Sequence, residues 1–331
     1  CAGIGLEAPV RKLTFFASLV VFLANATFVL QANAQSPMSV AKDSRWTVEF
    51  GAKAYDRPGD DLALPLITDE ITLAPLFDST QASDLGNTVG AEVKFAFVTP
   101  LGKELEIRSI LASWDEAYEF EGDNFQSPFF PSPDLAPTTV NYDYESDYFS
   151  IEVMKRRNIS PGVTLMFGPR FVSTRDRVKL GGSISIDPGD GTTVDFTQTQ
   201  TTEATNALIG LQTGLELNIP MNRYFYVNSF IRAGGYMNPT EVTTSVSDTV
   251  STVETQTSQT KSTGSFLGEV GGRLYVDIVP NCVSSYVGYE ATWIDGIALA
   301  PAQLITTGAT GIETGNTPFF HAISFGLNFN Y

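Results

Sequence analysis

The sequence predicts an all-β fold, an antiparallel up-and-down transmembrane β-barrel of about ten strands, with twelve as the alternative count. Three observations predict it. Ten stretches alternate apolar and polar residues at period two. The connections between them are alternately short and long, as in a barrel with tight turns on one side of a membrane and loops on the other. Nearly every stretch reaches the roughly 9–11 residues that a tilted strand needs to cross the hydrocarbon, whereas strands of soluble domains usually run about 5–6.

The chain before the barrel has its own pattern. Arg11 and Lys12 precede an apolar run from Leu13 to Leu30, and Ala32-Asn33-Ala34 supplies an A-x-A cleavage site, so residues 1–34 are expected as a signal peptide. Asn25 and Thr27 interrupt the run and no basic stop-transfer cluster follows, which disfavours an anchor. Because the first residue is Cys1 rather than Met, an upstream extension is allowed for; a lipidated Cys1 would leave the apolar run unexplained. Residues 35–45 then form a short periplasmic segment and 46–331 the barrel. Cleavage leaves Cys282 alone, so no internal disulfide is expected.

The strands follow in order. Trp46–Tyr55 sets Glu49 and Lys53 on its polar face. Thr88–Val98 carries Glu92 and Lys94, and "TPLGK" turns it into Lys103–Trp114, with Glu104, Glu106 and Arg108 on one parity. Asp147–Arg156 holds Glu152 between Ile151 and Val153, and "RNISPG" leads into Gly162–Ser173 with Arg170. In Ala204–Asn218, Ile209, Leu211, Leu215 and Leu217 oppose Gln212 and Glu216; "NIPMN" leads into Asn222–Tyr236 with Arg232. Gly264–Ile278 sets Phe266, Val270 and Leu274 against Glu269 and Arg273, and "DIVPN" leads into Cys282–Ile294 with Glu290. Each short connection joins proline to glycine or asparagine, which is turn chemistry. Last comes Phe319–Tyr331, with Phe325, Leu327, Phe329 and Tyr331 on its apolar face. Backbone pairing must close on itself in lipid, so this strand is expected beside the first. Trp46, Tyr224, Phe225, Phe329 and Tyr331 flank the short turns, where interfacial aromatic belts belong.

The long connections are 56–87, 115–146, 174–203, 237–263 and 295–318. From Asp115 to Asp147 there are nine acidic residues and no Lys or Arg, which reads first as a solvated acidic cap; divalent-cation binding is the sharper alternative, since clustered carboxylates suit hard cations. "DPGDG" contains Asp187 and Asp190, weak metal candidates that read first as the tip of a hairpin prolonging two strands. Residues 240–262, rich in Thr and Ser, are expected as an extended polar strand pair or a loop.

With the polar parity inward, the carboxylates and bases named on the ten strands interleave in the lumen. They read either as a field selecting small solutes or ions or as ion pairs filling a narrow barrel. Size favours the second: eight strands leave room only for side chains, whereas sixteen to eighteen leave a channel. Other classes fall away. With 37 acidic against 20 basic residues, the chain lacks the basic footprint that nucleic acid needs. A mean hydropathy near zero excludes a bundle of apolar membrane helices but not a barrel. The single histidine, His321, shares the parity of Ile323 and Phe325 and is expected to face lipid or headgroups; with no G-x-S-x-G or H-E-x-x-H motif, enzymatic chemistry is disfavoured. No cofactor is expected, and the oligomeric state is not written in the sequence.

"VGYEATWIDGIALAPAQL" resembles the hallmark segment of a planctomycete family of outer-membrane β-barrel porins (porin-7 type). "SRWTVEFGAKAYDR" is similar to that family's opening strand, and "ATNALIGLQTGLEL" and "GSFLGEVGGRLYVDI" to two later ones. The likeness spans most of the chain after the leader and is weakest over 56–147. It implies a barrel in the bacterial outer membrane and brings no catalytic residues. The terminal aromatic strand likewise resembles the signal read by barrel-assembly machinery, which implies that role for Phe325, Leu327, Phe329 and Tyr331.

Overall fold

Period-two alternation resolves into long strands. The computed structural model describes residues 46–331 apart from 59–64, 70–74, 79–83, 100–103, 122–124, 127–137, 187–193, 250–254, 280–281 and 306–310. The expected leader and the segment 35–45, together with Asp187 and Asp190, lie outside the described residues. In chain order the elements are β1 (Trp46–Arg57), β2 (Pro65–Asp69), β3 (Pro75–Asp78), β4 (Gly86–Val98), β5 (Glu104–Glu121), β6 (Phe125–Gln126), β7 (Thr139–Ser160) and β8 (Val163–Ile186). There follow β9 (Val194–Pro220), β10 (Phe225–Asp248), β11 (Thr255–Val279), β12 (Val283–Asp295), the one-turn helix α1 (Ala300–Ile305) and β13 (Phe319–Asn330). Ten strands form a closed antiparallel barrel in the order β1-β13-β12-β11-β10-β9-β8-β7-β5-β4, and β2, β3 and β6 make a separate small sheet.

The expected closure is present. β13 pairs with β1 from Thr47↔Asn330 to Asp56↔His321. Beyond that ladder Trp46 N–H donates to Tyr331 O (3.0 Å) and Tyr331 N–H to Trp46 O (2.8 Å). The seam is tight because Gly51 and Gly326 face each other across it and the Tyr286 ring lies over both: a Cβ at Gly51 would collide with the Tyr286 hydroxyl, and one at Gly326 would lie 2.8 Å from Tyr286 Cε1. The ring fills the hollow that the two missing side chains leave.

The barrel has two storeys, and the apolar parity changes face between them. In the lower part of β7 the outward residues are Phe149, Ile151 and Val153, and the inward ones Ser150 and Glu152. Above Tyr148 the order inverts: Val140, Tyr142 and Tyr144 are buried inside, while Asn141, Asp143 and Glu145 point outward. β8 does the same, from outward Leu165 and Phe167 with inward Arg170 to outward Arg175, Arg177 and Lys179 with inward Val178 and Leu180. β5 follows, with Ile107 outward below and Asp115, Glu119 and Glu121 outward above. Below the inversion the exterior is apolar and the interior charged; above it the exterior is polar and the interior a mainly apolar core that also encloses Arg57, Asp176 and Asn206.

This inversion corrects the expected loops. The segments read as connections at 115–146, 174–203 and 237–263 are largely strand, because β5, β7, β8, β9, β10 and β11 continue into them. Once the outward face is polar, period-two alternation persists with its sign reversed. β7 to β11 reach 22–27 residues, against 12–13 for β1, β4, β12 and β13. The six tall strands are contiguous in the ring, so the sheet rises on one side only. "VKLGGSISI" and "TTVDFTQTQTT" pair as a strand extension, Val194 opposite Ile186.

Candidate functional site

The interior of the lower storey is the candidate site. Strand alternation carries each sequence-predicted lumen residue inside. Glu49, Lys53, Glu92, Glu106, Arg108, Glu152, Arg170, Gln212, Glu216, Arg232, Glu269, Arg273 and Glu290 are buried; Lys94 and Glu104, nearer the short-turn mouth, keep partial exposure.

Their contacts form one connected network. Arg108 reaches Glu269 at 2.5 Å, Glu290 at 3.0 Å and Glu92 at 3.2 Å. Arg170 bonds Glu269 (2.9 Å), Ser150 (2.9 Å) and the Tyr148 hydroxyl (3.0 Å). Arg232 lies 3.1 Å from Glu152 and 3.3 Å from Glu269. Arg273 contacts Glu49, Glu290 and, at 2.7 Å, Glu92, and Lys53 bridges Glu92 (2.5 Å) and Glu290. Nearer the mouth Lys94 meets Glu49 at 2.9 Å, while Arg156 binds Glu216 (2.6 Å), Glu104 (2.8 Å) and Glu106. Gln212 donates to Glu152 at 2.5 Å. Phe230 also points inward, with the Arg232 guanidinium 4.7 Å from its ring centre. Burying charge is tolerable only with such pairing, since an unpartnered ion inside costs several kcal/mol.

The span of these contacts closes the lumen. β5 and β11 stand five places apart in the ten-stranded ring, the greatest separation possible, yet Arg108 on β5 touches Glu269 on β11. A cavity of about 10 Å³ remains between Lys53, Tyr55, Trp114, Tyr148, Glu290 and Phe320, room for about one water molecule. Trp114 lines it, and its Nε1 has no hydrogen-bond partner among the described residues.

Above the network the barrel is corked. Of the connection 295–318, expected as an external loop, residues 295–305 fold into the upper storey: Ile297, Ala298, Leu299, Ala300 and Leu304 are buried, and α1 packs against β8 and β9 on the far wall. Asn206 on β9 holds it as a strand would, accepting from Ala298 N–H (2.9 Å) and donating to Ala298 O (2.7 Å). Asn238 and Ser265 donate to Gly296 O at 3.2 and 2.8 Å, and Gln303 grips the backbone of Glu313 through both ends of its amide. The segment "WIDGIALAPAQ", the most specific part of the family resemblance, is thus the cork and its stem. Phe77 completes the upper core against Tyr118, Phe120 and Tyr142; burial there pushes the Tyr142 hydroxyl well above the usual tyrosine range.

Sequence reasoning missed several interior groups. Arg57 bonds Ser146 (2.8 Å), Tyr144 (3.0 Å) and Asp176 (3.3 Å). It shares the parity of Glu49 and Lys53 but lies beyond the expected end of the first strand. Arg156 shares the parity of Glu152, the signal that could have found it. The cork had a signal too, an apolar "IALA" in a connection expected to be solvated.

Outside, Phe325, Leu327 and Tyr331 are exposed and Phe329 half-buried, all on the apolar exterior. His321 is outward at the long-loop end, 2.9 Å from Asp56 and beside the Tyr289 and Phe319 rings. The acidic outward residues of β7 stand opposite bases on β8, Asp147 to Arg175, Glu145 to Arg177 and Asp143 to Lys179. Among the described residues no three His, Cys, Asp or Glu side chains are grouped to hold a metal ion.

Neither the protein-family models nor the curated proteins give a match. Among solved structures, the outer membrane protease OmpT of Escherichia coli is similar over 90% of this chain and 99% of its own, at 7% identity and a TM-score of 0.43. The translocator domain of the autotransporter NalP of Neisseria meningitidis covers 96% and 98%, at 9% identity and a TM-score of 0.38. A major outer membrane protein of Thermus thermophilus covers 86% and 99%, at 11% identity and a TM-score of 0.32.

Proposed function

We propose that this chain is an outer-membrane β-barrel, closed at rest, that stands in the lipid as a support for the tall half-sheet above it. Membrane residence is supported by the lower exterior. Phe167, Ile209, Ile231, Val287, Ile323 and Phe325 are each more than half exposed, on five strands around the ring, and water would not leave so large an apolar band uncovered. A barrel is also one of the two architectures that satisfy every backbone group in lipid. The export leader and the likeness to the planctomycete porin family belong to the same reading, in which the family's hallmark segment serves as a cork.

The observation that carries closure is the Arg108–Glu269 contact across the full diameter. The narrow-channel alternative rests on the continuity of charged groups from the mouth to mid-barrel. It requires both the cross-strut and the cork to give way. Planar-bilayer recording of the refolded protein separates the two. The expected record is a flat baseline; steady unitary conductance of the unmodified protein would establish the channel and end the support reading.

A further inference from the structure

We propose that Lys155 and Arg157 form a headgroup site for an anionic phospholipid in the leaflet on the short-turn side of the barrel. The site rests on the membrane reading above. Three consecutive bases, Lys155, Arg156 and Arg157, end the lower part of β7. Strand alternation sends the middle one inward, where Glu104, Glu106 and Glu216 take it. Its neighbours are exposed on the same outward parity as Ile151 and Val153. Neither has a carboxylate within ion-pair distance among the described residues, whereas the outward bases at the opposite end, Arg175 and Arg177, face Glu203 and Glu145.

Register fixes their depth. Following the ladder around the ring, Trp46 is opposite Phe97, Phe97 opposite Leu105, Leu105 opposite Lys155 and Lys155 opposite Phe167. Trp46, Phe95 and Phe97 form an aromatic cluster with ring centroids 4.9–5.8 Å apart, the kind of girdle that lies at headgroup level. Lys155 is two strands from Phe97, about 10 Å along the ladder; with strands tilted by about 40° this is a height difference of about 6 Å, within the headgroup zone. Arg157, two residues nearer the turn, is opposite Leu165.

The surroundings select the ligand. Leu165 and Phe167 are exposed on the adjacent strand and offer acyl chains an apolar wall. Beside them two cations stand at the lipid boundary without a counterion. Lysine and arginine stems lie along apolar surface with their heads at the interface, and a phosphodiester supplies the charge they lack, taken bidentately by the arginine. Among the described residues, no outward carboxylate side chain shares the short-turn half of the barrel, so nothing there repels an anion.

The test uses the folded full chain in non-ionic detergent, with retention of phosphatidylglycerol and phosphatidylcholine read by native mass spectrometry. Phosphatidylglycerol should be retained preferentially. Lys155→Gln and Arg157→Gln should each weaken that preference by about fivefold, the usual worth of one base at a charged membrane surface. Arg175→Gln, at the other end, should leave it unchanged, and Lys155→Arg, which keeps the charge, should retain it. Equal retention of the two lipids, an undiminished preference in the double Gln variant, or loss of preference in Lys155→Arg would each overturn the site. Displacement of the lipid by millimolar inorganic phosphate alone would overturn the lipid assignment in favour of a free-phosphate site. Solubility without detergent would instead sink the membrane reading, and is seen before any lipid is added.

Discussion

Asn206 and Ala298 form a two-bonded pair across the upper lumen, side-chain amide to backbone peptide, 92 positions apart in the chain. The same amide oxygen accepts from Asn238 (3.1 Å) and Thr240 (3.2 Å) on β10, so one side chain of β9 ties the cork to the neighbouring strand as well as to its own. Asn206→Ala should leave the Ala298 peptide without partners, at a cost of about 1–3 kcal/mol per buried unsatisfied group. Limited proteolysis of the folded protein should then cut within 295–305, where the unmodified protein should resist. An unchanged digestion pattern would mean that packing alone seats the cork.

Arg108→Met should be more damaging than any exterior substitution. It abandons Glu92, Glu269 and Glu290 together, and breaking a buried ion pair from one side costs about 3–5 kcal/mol. The folded barrel should lose heat resistance on cold-loaded gels, and Arg273→Met should behave alike. Adding Glu269→Gln to Arg108→Met removes one of the three carboxylates that lose Arg108 and should recover part of the loss; no recovery would show that these two charges are not coupled.

Two seam glycines should respond differently to one rescue. At Gly51 a new Cβ meets chiefly the Tyr286 hydroxyl, with Tyr286 Cζ at 3.2 Å and Phe325 O at 3.3 Å, so Tyr286→Phe should restore much of the assembly that Gly51→Ala loses. At Gly326 the obstacles include Phe50 O and Gly51 Cα (2.8 Å). These are backbone and cannot swing aside, so Gly326→Ala should stay defective with Tyr286→Phe. Folded yield in lipid reads both; equal rescue would contradict the packing described.

Removing Phe329–Tyr331 should impair insertion. The deletion takes away both Trp46–Tyr331 backbone bonds and the Val48↔Phe329 rung of the seam. Outer-membrane yield should fall, and more steeply than for Tyr331→Phe, which keeps every backbone bond. Equal yields would deny the seam its part in assembly.

The lower storey was legible because one rule governs it. Its exterior is apolar, so every inward charge from Glu49 to Glu290 could be placed by counting in twos. The upper storey was not, because there the same counting holds with the faces exchanged: Tyr142 and Tyr144 read as loop aromatics in an acidic segment until Asp143 and Glu145 are seen to occupy the outer face. The cork lay beyond any local rule. "ALAP" shows that something is buried but not that its partner is Asn206, almost a hundred residues earlier.

β13 differs from the other nine barrel strands in one respect: it places no charged side chain in the lumen. Its inward residues are Phe320, Ala322, Ser324 and Asn328, and its one ionisable side chain, His321, faces out. An open sheet of the other nine already holds both members of every ion pair in the lower lumen. β13 itself therefore brings backbone bonds and aromatic contacts to the closed ring but no lumenal charge of its own. Closure still brings Lys53 on β1 to Glu290 on β12 and Arg273 on β11 to Glu49 on β1, so the strand between them joins two charged edges without adding to the charge that must be paired.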